Sequence, residues 1–388
     1  MDNIKSVTWR EKTLLFFSRM FFVFWSLIDL IIPNKSNLLI FSSSNGRFVG
    51  NSASLFEHVL EQPQYESYFL VHTQTSYSEL NSRFPGHIIN SYTFTGFWTF
   101  LRSRVIFLTH GKGDVRPWPL NSSQKLVVNL WHGTNFKLWK IPIKDYSALT
   151  VSSPLEKKIS YQAFGPPASK YWLTGTPRTD ILIKHVNNVL EDKIILYAPT
   201  YRYEQIQGVE KRESTKVFPL TNFNIKDLVD LLDKHDAKLL FRWHINDLIE
   251  SKSQELYDYT KISDRLILAG PDQYPDVQEL LLKSSILITD YSTLMLDFLL
   301  LDRPILFFPY DYESYIRENG FYYDYNLFSP GPKIKSHSDF IMNLEKFLLN
   351  PQAGSKWRHR ISDIMFPQKD GMSSERIMNK VKEIIDHD

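Results

Sequence analysis

Two doubly wound α/β domains, each built on a parallel sheet, are what this sequence predicts, and three observations predict them. The chain has 388 residues, too many for one ordinary core and enough for two domains that each bury most of their apolar surface. From Asn37 onward, short apolar runs alternate with polar, helix-like stretches, the pattern of strands covered on both faces by helices. The alternation runs twice, and residues 181–192, which carry no strong apolar stripe, separate the two series.

Taken in order, the first series places strands at residues 38–41, 68–72, 87–89, 105–108, 125–130, 148–151 and 171–174. The second places them at 194–198, 238–243, 266–268, 286–289 and 304–308. Residues 204–215 are polar and charged and read as a loop. Helices at 357–365 and 373–385 close the chain. The expected division is therefore 37–185 for the first domain and 186–388 for the second.

Ahead of the first strand, residues 14–32 are almost wholly apolar or aromatic, broken by Ser18, Arg19, Ser26 and Asp29 and preceded by Arg10, Glu11 and Lys12. A spanning helix needs about 20 apolar residues, and Arg19 and Asp29 would each be costly inside a bilayer core. A helix lying in the membrane interface is the favoured reading of residues 1–36, ahead of a buried helix and of a true span or signal.

Composition excludes several classes. The formal charge of +2 argues against nucleic acid as the main partner. With no cysteine there is no disulfide, thiolate zinc site or Cys nucleophile. The one Asp-x-Asp, Asp386-His387-Asp388, sits at the chain's end, so no metal site is expected. Gly-x-Gly-x-x-Gly, Walker and Gly-x-Ser-x-Gly motifs are absent, which weakens dehydrogenase, ATPase and hydrolase readings.

Ligands of open parallel sheets bind beyond the carboxyl ends of the strands, so the chemistry is sought just after each one, in the cleft between the domains. Leu130-Trp131-His132-Gly133-Thr134 follows the strand at 125–130. His132 there suits a general base, with a structural histidine an equal reading on location alone. Phe241-Arg242-Trp243-His244 ends the strand at 238–243, where alternation puts Arg242 and His244 on one side, suited to a pyrophosphate, or His244 is a satisfied histidine at a strand end. After the strand at 286–289 come Asp290, Ser292 and Thr293, a helix start suited to phosphate, or an ordinary cap. Asp311, in the Tyr310-Asp311-Tyr312-Glu313 stretch, suits ribose or polyol hydroxyls, with an aromatic surface loop the other reading. Thr200 and Arg202 end another strand, and Gly46 permits a tight turn after the first, though both stretches also read as plain loops.

Together these stretches resemble the CDP-glycerol glycerophosphotransferase family of teichoic acid primases and polymerases and their capsule-synthesis relatives. The most specific is ILITDYSTLMLDFLLLDRPILFFPYDYESYIRENGFYYD at 286–324, supported by LWHGT at 130–134, YAPTYR at 197–202, FRWH at 241–244 and FSSSNGRFVGNSASLFEHVL at 41–60. The resemblance implies a GT-B arrangement of two Rossmann-like domains and peripheral attachment at the cytoplasmic face of the membrane. It implies His132 as general base and His244 near the donor pyrophosphate, with Thr200, Arg202, Arg242, Asp290, Ser292, Thr293 and Asp311 on the donor side. Gly46, Asn51, Gly133 and Thr134 fall on the acceptor side. The chain departs from the family at Gly50-Asn51, where Asp-Asn is usual, and at His244-Ile245, where His-Pro is usual. The reaction expected is attack of an acceptor hydroxyl on the β-phosphorus of CDP-glycerol with release of CMP, the acceptor being a lipid-linked or polymeric glycan. No cofactor beyond that donor is implied. CDP-ribitol as donor, a UDP-sugar transferase or epimerase, and a non-catalytic scaffold are the alternatives. The length is nearer a primase or compact capsule transferase than a large polymerase.

Overall fold

The computed structural model describes residues 24–25, 27–118, 120, 124–138, 146–165, 167–200, 216–243 and 250–387. The first half runs β1 (Lys35–Phe41), α1 (Gly50–Leu60), β2 (Glu66–Val71), α2 (Gln74–Arg83), β3 (Ile88–Asn90), α3 (Phe94–Arg102) and β4 (Ser103–Leu108). It continues through β5 (Leu126–Asn129), β6 (Ala148–Val151), α4 (Pro154–Phe164), β7 (Tyr171–Leu173) and α5 (Pro177–Lys184). The second half runs β8 (Lys193–Tyr197), α6 (Ile225–His235), β9 (Ala237–Phe241), α7 (Glu250–Ile262), β10 (Leu266–Leu268), α8 (Val277–Lys283) and β11 (Ser284–Thr289). After α9 (Leu294–Leu299) and β12 (Ile305–Phe307) come α10 (Tyr312–Glu318), α11 (Tyr325–Phe328), α12 (His337–Leu349), α13 (Ser355–Met365) and α14 (Ser373–His387).

Both sheets are parallel throughout. The first has seven strands ordered β3-β2-β1-β4-β5-β6-β7, the second five ordered β10-β9-β8-β11-β12. In each, the order reverses beside the first strand, between β1 and β4 and between β8 and β11, and ligands of such sheets bind at that switch point. The strands read as unbroken apolar runs because helices cover both faces: Leu39, Ile40 and Phe41 of β1 are all fully buried. One core cluster of the second sheet also takes in Phe136, Ile159 and Leu182 from the first half, so the apolar interior continues across the join.

Two features differ from expectation. The final helix, expected with the second domain, lies on the first: Ile377, Met378 and Val381 pack with Leu39, Phe41 and Phe107. Asp180 of α5 receives its amino end, accepting from Ser373 N at 3.0 Å and from Ser374 N and Oγ at 2.9 Å each. The second difference is at the other terminus, where an N-terminal membrane-associating helix over residues 1–36 is not supported. Among the described residues no helix is long and apolar enough to cross a membrane, and residues 1–23 lie outside them. The described end of that segment is helical at 24–25 and 27–31 and anchored to protein. Asp29, 1% exposed, pairs with buried Lys125 at 2.9 Å, and Trp25 meets Phe97 edge-on at 4.3 Å. The charge that would have been costly in lipid is answered here by a lysine.

Candidate active site

At the end of β5 the chain turns sharply. Trp131 has φ +55°, a left-handed conformation rare for a bulky side chain, which persists only where its surroundings over-determine it. They do so by taking up successive carbonyls. Asn51 Nδ2 donates to the Leu130 and Trp131 carbonyls at 2.9 Å each, and Arg178 Nη1 donates to the His132 carbonyl at 2.7 Å. Trp131 N–H finds Asn129 Oδ1 at 2.9 Å. On the far side, buried Glu156 accepts from Asn135 N at 2.7 Å and from Ser152 N and Oγ at 2.6 Å each. Asn51, expected on the acceptor side, thus contacts the backbone that carries His132.

The His132 ring lies parallel to His110, centroids 4.4 Å apart and planes 9° off. Its pKa is pushed down to about 3, by burial first and then by the positive potential of His110 and Arg178, with a hydrogen bond to the Thr109 backbone opposing. At neutral pH it is therefore an uncharged imidazole. His110 is fixed by Asp114, whose Oδ2 accepts from Thr109 N at 2.7 Å and His110 N at 2.8 Å. Ser43 and Thr109 hydroxyls meet at 3.1 Å across the first switch point. Gly46 has φ +81°, and a Cβ there would lie 2.9 Å from the backbone nitrogen of His72, whose Nε2 lies 3.0 Å from the Asp114 carbonyl.

The second switch point is stitched by Asp290. Its Oδ1 accepts from Thr200 N at 2.7 Å and Tyr291 N at 2.5 Å, and its carbonyl accepts from Tyr325 Oη at 2.9 Å. Ser292 Oγ accepts from Leu294 N at 3.3 Å, and Thr293, which makes no side-chain capping bond, directly precedes α9. Asp311 lies beside the Tyr291 phenol, whose pKa is raised by burial and by that carboxylate. Arg242 Nη1 donates to the Ala269 carbonyl at 3.1 Å, and burial lowers its pKa. β9 ends at Phe241, so strand alternation does not extend to Arg242 and Trp243, and the expected placing of Arg242 and His244 on one side reaches outside the described residues. His244 and Arg202 lie outside the described residues.

The two edges meet at Gly133. A Cβ on it would stand 3.3 Å from Thr293 Oγ1 and 3.2 Å from Arg178 Nη2, so the close approach this glycine permits is that of the second half of the molecule. Buried Thr134 follows directly. Further contacts cross the same join: Gly50 N to Asp276 Oδ2 at 3.3 Å, Lys137 Nζ to Thr200 Oγ1 at 3.4 Å and Tyr322 N to the Phe136 carbonyl at 2.9 Å. The arrangement thus places a neutral imidazole, with cationic neighbours, at a seam whose opposite wall offers hydroxyls and the start of a helix. Sequence reasoning missed His110, Asp114, Arg178, Asp297 and Glu156. Of these His110 was findable, since Thr109-His110-Gly111 follows β4.

The family model described as CDP-Glycerol:Poly(glycerophosphate) glycerophosphotransferase matches residues 24–383. The chain is 26% identical over 385 residues to the teichoic acid poly(ribitol-phosphate) polymerase of Bacillus spizizenii, covering 90% of this chain and 57% of that protein. It therefore spans little more than half of that relative. To the teichoic acid glycerol-phosphate transferase of Staphylococcus aureus it is 26% identical over 387 residues, covering 90% of this chain and 94% of the relative. Among solved structures, the wall teichoic acid polymerase TagF, in a crystal soaked with CDPG, matches with a TM-score of 0.72 at 20% identity, over 94% of this chain and 93% of that one. A likeness at that identity speaks for the fold alone.

Proposed function

This chain belongs to the CDP-glycerol:poly(glycerophosphate) glycerophosphotransferase family, and from that premise we propose that it moves glycerol phosphate from CDP-glycerol to an acceptor hydroxyl, releasing CMP. The observation that carries the reading is the seam at Gly133, the residue after His132, which the Thr293 end of α9 approaches from the opposite half. His132, uncharged at neutral pH, takes the acceptor proton as the hydroxyl oxygen attacks the β-phosphorus. The bond from that phosphorus to the bridging oxygen breaks, and CMP leaves with the electron pair. Charge on the leaving group is offset by Arg242, by Ser292 and Thr293, and, in the family's pattern, by Arg202 and His244. Thr200, Asp290 and Asp311 shape the donor side, Asn51 and Thr134 the acceptor side, which takes a lipid-linked or polymeric glycan.

Glycerol is preferred because the relative covered over 94% of its length is a glycerol-phosphate transferase, while ribitol keeps a place through the polymerase matched over 57%. The deciding experiment incubates purified protein with CDP-glycerol and, separately, CDP-ribitol and measures CMP. We expect release from CDP-glycerol, none from His132→Ala, and CDP-glycerol binding retained in that variant. Near-normal turnover by His132→Ala would sink the assignment of the base.

The reading includes peripheral attachment at the cytoplasmic membrane face. Supporting it, Phe24, Leu27, Leu30 and Ile31 stand exposed, as do Tyr92, Phe94 and Trp98 on and beside α3, to which Trp25 is packed through Phe97. Such an apolar patch suits an interfacial surface. Phe24→Glu combined with Ile31→Glu should reduce co-flotation with anionic lipid vesicles; unchanged flotation would dismiss this patch.

A further inference from the structure

Arg178 ties the two edges of the cleft together. It is 9% exposed, and its terminal nitrogens reach opposite halves of the molecule. Nη1 donates to the His132 carbonyl at 2.7 Å; Nη2 pairs with Asp297 Oδ2 at 2.6 Å, one turn past Thr293 on α9. The Arg178 backbone N–H donates to Asn51 Oδ1 at 3.1 Å, the same amide whose nitrogen holds the two carbonyls before His132. Asp297, fully buried, also accepts from Gln278 Nε2 of α8 at 3.0 Å.

Stability alone does not explain such a pair, because desolvating two charges offsets most of what their attraction returns. Geometry does. A planar guanidinium presents two donors at a fixed separation, which a lysine's single nitrogen cannot imitate.

We propose that Arg178 is a positioning residue for the transfer reaction, gripping the His132 loop with one nitrogen and α9 with the other so that base and donor phosphates face each other at a set distance. This rests on the proposed reaction, in which His132 is the base. A misplacement of about 1 Å in such an arrangement costs on the order of 10²-fold in rate.

The test compares the full chain with Arg178→Lys, Arg178→Ala and the double variant Arg178→Met with Asp297→Asn. The double variant leaves no buried charge unpaired, so it reports even if Arg178→Ala does not fold. CMP release, CDP-glycerol affinity and the His132 imidazole resonance by NMR are measured in each. We expect kcat to fall on the order of 10²-fold while CDP-glycerol affinity changes by no more than roughly threefold. The His132 resonance should move, and methylguanidinium should return part of the lost rate to Arg178→Ala. A folded Arg178→Lys or double variant with full kcat and an unmoved resonance overturns the proposal. If the unaltered chain releases no CMP from either CDP-polyol, the transfer reading fails by itself. The resonance still decides whether Arg178 positions that ring.

Discussion

His132 shows how far one residue's chemistry is set by neighbours that lie far away in sequence. Burial and the positive potential of His110 and Arg178 hold its pKa near 3, so in the free protein the base form persists far into acid. Bound CDP-glycerol would bring negative phosphates toward the Arg178 guanidinium and this ring and pull the value up. The acid limb of kcat, which reports the complex, should therefore fall at higher pH than that of kcat/KM, which reports the free enzyme. Rate profiles from pH 4 to 8 (roughly the range that brackets an ordinary histidine) check this: kcat should show an acid limb there while kcat/KM stays flat, and the reverse would contradict it. Linkage has a definite sign here. The folded value lies below the unfolded 6.5, so the group's contribution to stability is full above that pH and is lost as pH falls toward about 3. The thermal midpoint of His132→Gln should consequently decline less steeply below pH 6.5 than that of the unaltered chain. His132 itself was visible in the sequence because a histidine and a glycine follow a strand. Arg178 was not, because its partners are carried by remote segments: its amide bonds Asn51, 127 positions away. A Pro-Arg pair opening a helix carries no local sign of that task.

At the scale of elements, the strands were the most legible part of the chain. Each of the twelve described strands falls on an expected apolar run, because a strand buried on both faces writes itself as consecutive Val, Ile, Leu and Phe. The ends were less legible. The run at 238–243 yields a strand ending at Phe241, after which Arg242 N still donates to the Tyr197 carbonyl at 2.9 Å. Trp243 then turns inward, edge-on to Tyr197 at 5.1 Å, so apolar content alone overstates the strand. At the second switch point the Asp290 carboxylate joins the segments that follow β8 and β11. Asp290→Ala would remove the acceptor of Thr200 N and Tyr291 N, and a buried donor left unsatisfied costs about 1–3 kcal/mol. We expect a lower urea midpoint with an unchanged m-value, together with a raised KM for CDP-glycerol, since the Thr200 loop loses its tether. A KM that stays put while stability falls would make Asp290 a purely structural residue.

The whole molecule is closed by its last helix, and this was the least legible feature. The apolar stripe Ile377, Met378 and Val381, with Ile384 and Ile385 partly buried behind it, announces a helix with one face covered but says nothing of what covers it. Nearness in sequence pointed to the second sheet; the cover is the first, reached because Asp180 takes up the amino end of α14. The consequence is energetic. Full burial of a large apolar side chain is worth about 1.5–3 kcal/mol, so the three fully covered residues together contribute a sum comparable with the roughly 5–15 kcal/mol that holds a domain folded. Removing residues 373–388 should therefore unfold or loosen the half that does not adjoin them in sequence. Amide exchange should speed up in β1, β4 and β5 while β8 and β11 keep most of their protection. Faster exchange confined to β8 through β12 would mean that the helix stabilises its sequence neighbours instead. His132 rides on the loop after β5, so the same deletion should abolish CMP release even where Thr200, Asp290 and Thr293 remain in place.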